Sequence, residues 1–298
     1  MSTRQTRRKQ QRRDQRRGVQ KSPPWYTGPW GLAAGVVVVA LAVVIIIIAG
    51  KSGPNSAADN AFPRQVAPQS VVAALEHPSQ AVLASVGSGG TSNTITPAHS
   101  STGKWVSNGL PVIFYYGGEN CPYCAADRWS LISALSRFGT FSGIGLMKSA
   151  SNDIYPNTNT LTFYGSNYHS PYLVFYPREV QDRAQHQLQT LTGAENSAIS
   201  KLDPRKFLPL VDLANVGTAS LGYDPGALRV DPTDAYSRAL SWQAIADALG
   251  SASTPQAQGV FGDANRLTAA ICKLTNNKPA STCSSAPIPA LQKGLKLG

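Results

Sequence analysis

The hydrophobic pattern of the chain opens with an uninterrupted apolar run over residues 31–49, which carries no charged or strongly polar side chain. Because an α-helix rises about 1.5 Å per residue, this run would be about 28 Å long, close to the roughly 30 Å hydrocarbon thickness of a bilayer. The pattern therefore predicts a transmembrane helix over residues 31–50. A cleaved signal peptide is the alternative, although its apolar region usually covers only about 7–15 residues.

A polar tether and a helical segment follow the apolar run. Residues 51–65 are small, polar and contain Pro and Gly, as is typical of a flexible linker. Residues 69–86 have apolar positions at helical spacing, and Pro78 is expected to divide them into two helices. Residues 87–103 are rich in Gly, Ser and Thr and predict a loop.

The next apolar run predicts a buried strand that leads into a helix. Residues 110–116 are apolar or aromatic throughout, as expected of a strand that is buried on both faces. A turn follows, and a helix is predicted from Cys121 to Phe138. Pro122 suits its first helical position, and Gly139 supplies a stop.

Shorter patterns continue the alternation of strands and helices to the end of the chain. We predict strands at residues 143–148, 160–164 and 172–176, and helices at residues 206–213, 242–249 and 265–274. This alternation predicts an α/β layer architecture.

The positive charge of the chain is concentrated at its N-terminus. The formal net charge is +11, and residues 1–30 hold nine Lys or Arg against one acid, Asp14, which gives 9 − 1 = +8. The remaining residues carry only +3, so nucleic acid is not an expected partner. A basic segment beside a membrane span stays in the cytoplasm, so the rest of the chain is expected outside the cytoplasm.

The four cysteines form two closely spaced pairs. Cys121 and Cys124 stand at the predicted start of a helix, where unpaired backbone N–H groups and the helix dipole stabilise a thiolate. Cys121 is therefore the expected nucleophile and Cys124 the resolving thiol. Cys272 and Cys283 enclose ten residues, a spacing that favours a structural disulfide over a second exchanging pair.

Other uses of a C-x-x-C motif stay open at this point. A zinc site needs a second such motif or a nearby His pair, and the four histidines are scattered, at His77, His99, His169 and His186. A purely structural Cys121–Cys124 disulfide is a second alternative. A copper-carrying dithiol is a third, but the chain has only two methionines. We therefore predict no metal and no cofactor.

The cysteine-containing segment resembles the first βα unit of the thioredoxin superfamily. More narrowly, residues 118–125 (Gly-Glu-Asn-Cys-Pro-Tyr-Cys-Ala), the Arg128-Trp129 pair, residues 137–142 and residues 268–283 resemble a family of membrane-anchored thioredoxin-like proteins from actinobacteria and archaea. That family is catalogued as a domain of unknown function, and the resemblance spans about residues 66–285. It implies a thioredoxin-like fold with N- and C-terminal helical extensions, preceded by one transmembrane helix.

The resemblance also implies roles for single residues. Pro171, at the start of the predicted strand 172–176, matches the cis-proline that packs against the redox centre in the superfamily, and Ser170 would offer backbone hydrogen bonds to a substrate. Tyr115 stands where thioredoxin has a buried Asp that assists proton transfer. Glu119 is the nearest carboxylate, and its turn position predicts an exposed side chain. His169 is expected near the sulfurs.

These predictions combine into one expected organisation and function. We expect a basic cytoplasmic tail at residues 1–30, the membrane helix at 31–50, a tether at 51–104, a thioredoxin-like domain at 105–255 and a helical extension at 256–298. The expected activity is thiol–disulfide exchange with exported proteins, through a Cys121 mixed disulfide that Cys124 resolves. Its partners would be protein thiols or disulfides, the lipid bilayer and a membrane redox protein. A non-catalytic thioredoxin-like scaffold at the membrane is the alternative.

Overall fold

The computed structural model describes residues 62–98 and 103–297. Within these ranges no helix combines the length and the hydropathy needed to cross a bilayer. The predicted basic tail and transmembrane helix, residues 1–30 and 31–50, lie outside the described residues.

The described chain is a mixed α/β structure with eight α-helices and eleven short strands. The helices are α1 Gln69–Glu76, α2 Gln80–Val86, α3 Pro122–Leu135, α4 Gly193–Leu202, α5 Trp242–Ala248, α6 Pro255–Leu274, α7 Ala280–Cys283 and α8 Ile288–Gln292, with a 3-10 helix at Pro225–Leu228. The strands are β1 Gln65–Val66, β2 Thr96–Pro97, β3 Val106–Ser107, β4 Leu110–Gly117, β5 Thr140–Ser142, β6 Gly145–Lys148, β7 Asn159–Thr162, β8 Asn167–His169, β9 Val174–Glu179, β10 Leu210–Leu213 and β11 Gly217–Ala219.

Strand β4 lies at the centre of the main sheet. On one side β9 pairs with it in parallel, with Ile113 opposite Phe175. On the other side β10 pairs antiparallel, with Ile113 opposite Leu213, and β11 and β2 continue the sheet outwards. The short β3 pairs with the beginning of β4. The apolar run at residues 110–116 is therefore an interior strand, as the sequence pattern predicts.

The two faces of β4 bury their side chains in different clusters, because successive strand residues point to opposite faces. Ile113 and Tyr115 belong to the larger cluster, which includes Trp129 of α3. Phe114 and its same-face neighbours belong to a smaller cluster with Ile199 of α4. Helices therefore cover both faces of the sheet, and α3 and α4 lie on opposite sides.

Helix α3 lies in the interior of the protein, because α6 packs along it. Every residue of α3 except Tyr123 is buried. The indole N–H of Trp129 donates to the carbonyl oxygen of Asn159 at 3.2 Å, and the Thr160 hydroxyl donates to the carbonyl oxygen of Ala125 at 2.6 Å. These bonds attach α3 to β7 at its side. The predicted helix is confirmed, but it ends at Leu135.

Between α3 and β9 the chain forms two small sheets. Strands β5 and β8 pair antiparallel, and β6 pairs with both β1 and β7. The strands predicted at 143–148 and 160–164 are therefore present, but they pair outside the main sheet.

The prediction of a helix at residues 206–213 is wrong. Residues Leu210–Leu213 form β10 and pair with Ile113–Tyr116 of β4. Pro209 explains the difference, since proline inside a helix removes a hydrogen bond and clashes with the preceding turn. All four residues of β10 are buried, so its apolar positions do not alternate, and the pattern could be mistaken for that of a helix. The helices predicted at 242–249 and 265–274 correspond to α5 and to the second half of α6.

A disulfide holds the C-terminal extension together. Cys272, near the end of α6, is bonded to Cys283, the last residue of α7, with 5.6 Å between the Cα atoms. Both cysteines are buried. Helix α8 then packs back against α6.

Candidate redox site

The turn between β4 and α3 places Cys121 at the N-terminal end of a buried helix. The backbone N–H of Cys121 donates to the carbonyl oxygen of Gly118 at 3.2 Å, and the N–H of Glu119 donates to Gln181 at 2.9 Å. Cys121 is the N-cap of α3 and Pro122 is its first residue, as predicted. The cap geometry leaves the first N–H groups of the helix facing the cysteine side chain.

The backbone N–H of Cys124 donates to the Sγ of Cys121 at 3.2 Å. The Cys121 side chain thus takes the capping role that a Ser or Asp oxygen usually takes. Cys121 retains 8 % of its surface exposed and Cys124 none, and both are free thiols in this structure. Cys121 is therefore the cysteine that keeps some contact with solvent, whereas Cys124 is enclosed.

The surroundings move the pKa values of the two thiols in opposite directions. Burial acts to raise the pKa of Cys121, but hydrogen bonds from the Cys124 thiol and N–H, together with the charge of Arg128, lower it below its usual value. The pKa of Cys124 is raised well above its usual value, first by burial and then by the neighbouring Cys121 sulfur. A thiolate at Cys121 beside a protonated Cys124 is the combination that thiol–disulfide exchange requires.

A buried ion pair lies directly beside the thiols. The guanidinium of Arg128 donates to the two carboxylate oxygens of Glu179 at 2.8 and 2.7 Å, and to the carbonyl oxygen of Gly118 at 2.7 Å. Neither charged side chain is accessible to solvent. Because Gly118 also accepts the N–H of Cys121, Arg128 fixes the turn that carries Cys121 as well as supplying a positive charge.

The carboxyl group in the turn is buried, contrary to its predicted exposure. Glu119 is 5 % exposed, and its Oε1 accepts a hydrogen bond from the Thr162 hydroxyl at 2.6 Å. The inserted strand β7 covers the turn and accounts for the difference. Burial raises the pKa of Glu119 above its usual value. Tyr115, which the sequence resemblance places at the position of thioredoxin's buried acid, is completely buried, and its ring contacts Phe163 edge-on with centroids 5.2 Å apart.

The prediction that Ser170 and Pro171 lie beside the sulfurs is wrong. The Ser170 hydroxyl donates to the carbonyl oxygen of Phe138, just beyond the C-terminal end of α3. Cys121 lies at the other end of this 14-residue helix, which is about 20 Å long. The peptide before Pro171 is trans, and His169 pairs with Thr140 in the same distant region.

Leu208 and Pro209 occupy the place that was predicted for Ser170 and Pro171. The Sγ of Cys121 lies 3.9 Å from the carbonyl oxygen of Leu208, to which the thiol donates. The Leu208–Pro209 peptide is cis and directly precedes β10. The pairing of β10 with β4 brings this segment to the cysteine end of the sheet.

Residues 96–220 match the family model described as "Domain of unknown function (DUF929)". This part of the chain is a DUF929 domain. The predicted resemblance to a catalogued domain of unknown function is confirmed for these residues. No curated protein and no solved structure matches the chain significantly.

The DUF929 domain contains the parts of the site described above. Cys121 and Cys124, the ion pair of Arg128 with Glu179, and Leu208 all lie between its limits. Helix α6 and the Cys272–Cys283 disulfide lie beyond its C-terminal limit. The long helix that encloses α3 therefore comes from outside the matched region.

Exposed aromatic side chains surround the opening of the site. Tyr123, between the two cysteines, is 41 % exposed, and its ring contacts Tyr155 edge-on with centroids 6.1 Å apart. Phe207 precedes Leu208 and is 51 % exposed. Within residues 62–98 and 103–297, no group of three or more His, Cys, Asp or Glu is arranged to hold a metal ion.

Sequence reasoning missed several residues of the DUF929 domain site. Arg128 and Glu179 are 51 residues apart, and only the parallel pairing of β9 with β4 brings them together. Pro209 did give a local signal, because a proline within an apolar helical pattern argues against a helix.

Proposed function

We propose that this chain is a membrane-anchored thiol–disulfide oxidoreductase that acts on the cysteines of exported proteins. The observation that carries the proposal is the position of the Cys121 sulfur. It caps a helix N-terminus, accepts the N–H of Cys124 at 3.2 Å and lies beside the buried cation of Arg128. Helix-end N–H groups and a nearby cation both stabilise a thiolate, which is the attacking species in disulfide exchange.

The strand arrangement supports a thioredoxin-like fold. The unit β4–α3–β9 has parallel strands, and it is followed after α4 by the antiparallel strands β10 and β11. The resulting order β9-β4-β10-β11, with α3 and α6 together on one face, is the arrangement of the thioredoxin superfamily. The two small sheets between α3 and β9 and the C-terminal α7 and α8 would be additions to it.

The exchange reaction follows from the unequal environments of the two thiols. The Cys121 thiolate attacks one sulfur of a substrate disulfide, and the other substrate sulfur leaves as a thiolate. Cys124 then attacks the Cys121 sulfur, which releases the second substrate thiolate and forms the Cys121–Cys124 disulfide. The substrate is reduced by two electrons and the cysteine pair is oxidised by two. The reverse sequence oxidises a substrate dithiol.

The proposed location rests on the sequence together with one structural feature. The apolar run at residues 31–49 is long enough to anchor the chain, and the basic residues before it favour a cytoplasmic N-terminus. A buried Cys272–Cys283 disulfide suits an oxidising compartment on the other side of the membrane. On intact cells that have been reduced, a membrane-impermeant thiol reagent should label Cys121, and its failure despite confirmed reduction would refute this orientation.

Exchange with a glutathione redox buffer tests the activity. The wild-type protein should equilibrate with the buffer, Cys121→Ser should not, and Cys124→Ser should accumulate a mixed disulfide at Cys121. Cys272→Ala/Cys283→Ala is the matched control and should exchange as the wild type does. A Cys121–Cys124 pair that ignores buffers of every potential, with no trapped partner in Cys124→Ser, would instead identify a non-catalytic scaffold.

A further inference from the structure

Two buried carboxyl groups interact electrostatically in the interior where α3 packs against α6. Asp127 on α3 is 1 % exposed and Asp263 on α6 is 2 % exposed. The Oδ2 atom of each has no hydrogen-bond partner among the described residues. An unpaired carboxylate is costly to bury, so such a group retains its proton to a higher pH than usual.

Asp127 lies one helical turn beyond the enclosed thiol. It follows Cys124 by three residues on α3, a spacing that places Cβ atoms about 5–6 Å apart on one helix face. Cys124 has no exposed surface, so bulk water does not contact its thiol. A proton that leaves Cys124 therefore needs an acceptor inside the protein.

The interior raises the pKa of both carboxyl groups above the usual value of an aspartate. Burial, then the charges of Asp263 and Cys124, hold the pKa of Asp127 well above its usual value, and burial raises the pKa of Asp263 to about 7. The titratable groups around the pair come from every packed element: Arg128 and Cys124 on α3, Glu179 on β9, Tyr223 before the 3-10 helix and Arg266 on α6.

We propose that Asp127 is the proton acceptor for the Cys124 thiol and that Asp263 sets its basicity. This inference rests on the proposed exchange function and assigns the group that makes its second step possible. In the mixed disulfide, the Cys124 S–H proton passes to the Asp127 carboxylate. The electron pair left on Cys124 forms the bond to the Cys121 sulfur, and the substrate sulfur leaves with the pair from the broken S–S bond. In the reverse direction, protonated Asp127 returns its proton to the departing Cys124 thiolate.

A raised pKa suits this role, because an ordinary aspartate is too weak a base at neutral pH and an acid–base group works best when its pKa is closer to the working pH. Two neighbouring carboxyl groups do not both ionise easily, so the second to lose its proton does so at a higher pH. Glu119 is the competing acceptor in the turn, but its Oε1 already accepts the Thr162 hydroxyl.

The resolving step can be isolated by a pH jump. Reduced protein is mixed with oxidised glutathione at about pH 4. The Cys124 thiol, whose pKa is raised well above its usual value, stays protonated there, so that the Cys121–glutathione mixed disulfide accumulates. A jump to a series of higher pH values then releases glutathione as Cys124 attacks. The release rate is measured for the wild type, Asp127→Asn, Asp263→Asn, Glu119→Gln and Asp212→Asn. Asp212 is a buried carboxyl with a pKa raised to about 7 that serves as the matched control.

The expected results separate the inference from the proposed function. At neutral pH, Asp127→Asn should release glutathione about a hundredfold more slowly, the lower end of the range for losing a general base. Its rate should rise in proportion to hydroxide, without the wild-type plateau. In Asp263→Asn the release rate should reach its plateau at a lower pH than in the wild type. The release rate of Asp212→Asn should match that of the wild type.

Three outcomes overturn the inference. An unchanged pH profile in folded Asp127→Asn, or the same loss in Glu119→Gln alone, would exclude Asp127 as the acceptor while leaving exchange itself intact. A wild-type protein that forms no mixed disulfide at acidic pH and also fails to exchange with glutathione at neutral pH would overturn the proposed function and the inference with it. Retained folding of each variant is checked by its cooperative unfolding transition.

Discussion

The guanidinium of Arg128 forms a two-point ion pair with the carboxylate of Glu179, and neither side chain has any exposed surface. A buried ion pair contributes little net stability compared with well-packed apolar side chains, although breaking it is costly. Its position beside the cysteines gives it a second effect. The positive charge lowers the pKa of Cys121, while Glu179 compensates that charge within the interior.

Substitutions of this pair should separate its effect on stability from its effect on the thiol. We expect Arg128→Met to lower the free energy of unfolding by about 3–5 kcal/mol, because it leaves Glu179 buried without a partner. It should also raise the pKa of Cys121. The double variant Arg128→Met/Glu179→Leu should recover most of the stability, yet keep the raised thiol pKa. Thiolate absorbance against pH and denaturant unfolding measure the two quantities, and a wild-type thiol pKa in the double variant would contradict this account.

Phe207 should contribute to the binding of polypeptide substrates. It precedes Leu208, whose carbonyl oxygen lies 3.9 Å from the Cys121 sulfur, and it exposes 51 % of its surface. We expect Phe207→Ser to lose a partly buried aromatic contact worth about 1.4 kcal/mol. This loss corresponds to a tenfold lower kcat/KM. The assay compares a cysteine-containing polypeptide with glutathione, whose turnover should not change.

A matched exposed residue controls for a general surface effect. Val106 on β3 is 52 % exposed and pairs with Pro111 at the opposite end of β4 from the cysteines. Val106→Ser should leave both substrates unaffected. Equal losses in both variants, or equal losses for both substrates in Phe207→Ser, would show that Phe207 does not contact the polypeptide.

The disulfide of the C-terminal extension should affect stability without affecting exchange. Its cysteines are 11 residues apart in the sequence, and closing such a loop stabilises a protein by about 3 kcal/mol in the chain-entropy model. Cys272→Ala/Cys283→Ala should therefore unfold at lower denaturant concentration by that free energy. Its Cys121 pKa and glutathione exchange should match the wild type. A changed exchange equilibrium would identify the second pair as redox-active.

Stability should decrease as pH rises through the weakly acidic range. Burial raises the pKa of Asp212 to about 7, so the folded state keeps a proton that the unfolded state loses near pH 4. Between these values the folded state binds more protons, and the free energy of unfolding therefore falls with pH until about pH 7. The rise of the Asp212 pKa from its usual value of 3.8 to about 7 corresponds to a change of about 4 kcal/mol in the free energy of unfolding.

Asp212→Asn tests this dependence. The variant cannot lose a proton at this position, so its unfolding free energy should fall less steeply between about pH 4 and pH 7. The wild type and the variant should converge toward the acidic end, where Asp212 is protonated in both states. Parallel curves for the two proteins across this range would show that Asp212 ionises normally.

The parts of the fold that sequence reasoning predicted correctly depend on local pattern. The apolar run of β4 and the favourable position of Pro122 specify a strand and a helix start without reference to other segments. The turn between them fixes where Cys121 lies. The predicted nucleophile and its resolving partner therefore follow from a few consecutive residues.

The parts that were missed depend on strand pairing between distant segments. Pro171 and Pro209 each precede an apolar strand, and the sequence alone does not show which strand lies beside Cys121. Antiparallel pairing of β10 with β4 selects Pro209. The burial of Glu119 likewise depends on β7, which folds over the turn from 43 residues further along the chain.

Helix α3 is enclosed on all sides, which has a consequence for its tolerance of substitution. An ordinary surface helix accepts polar replacements on one stripe and rejects them on the other. In α3 only Tyr123 is not buried. A saturation scan should therefore show no three- to four-residue periodicity in tolerance along this helix, and within it only position 123 should accept a wide range of side chains.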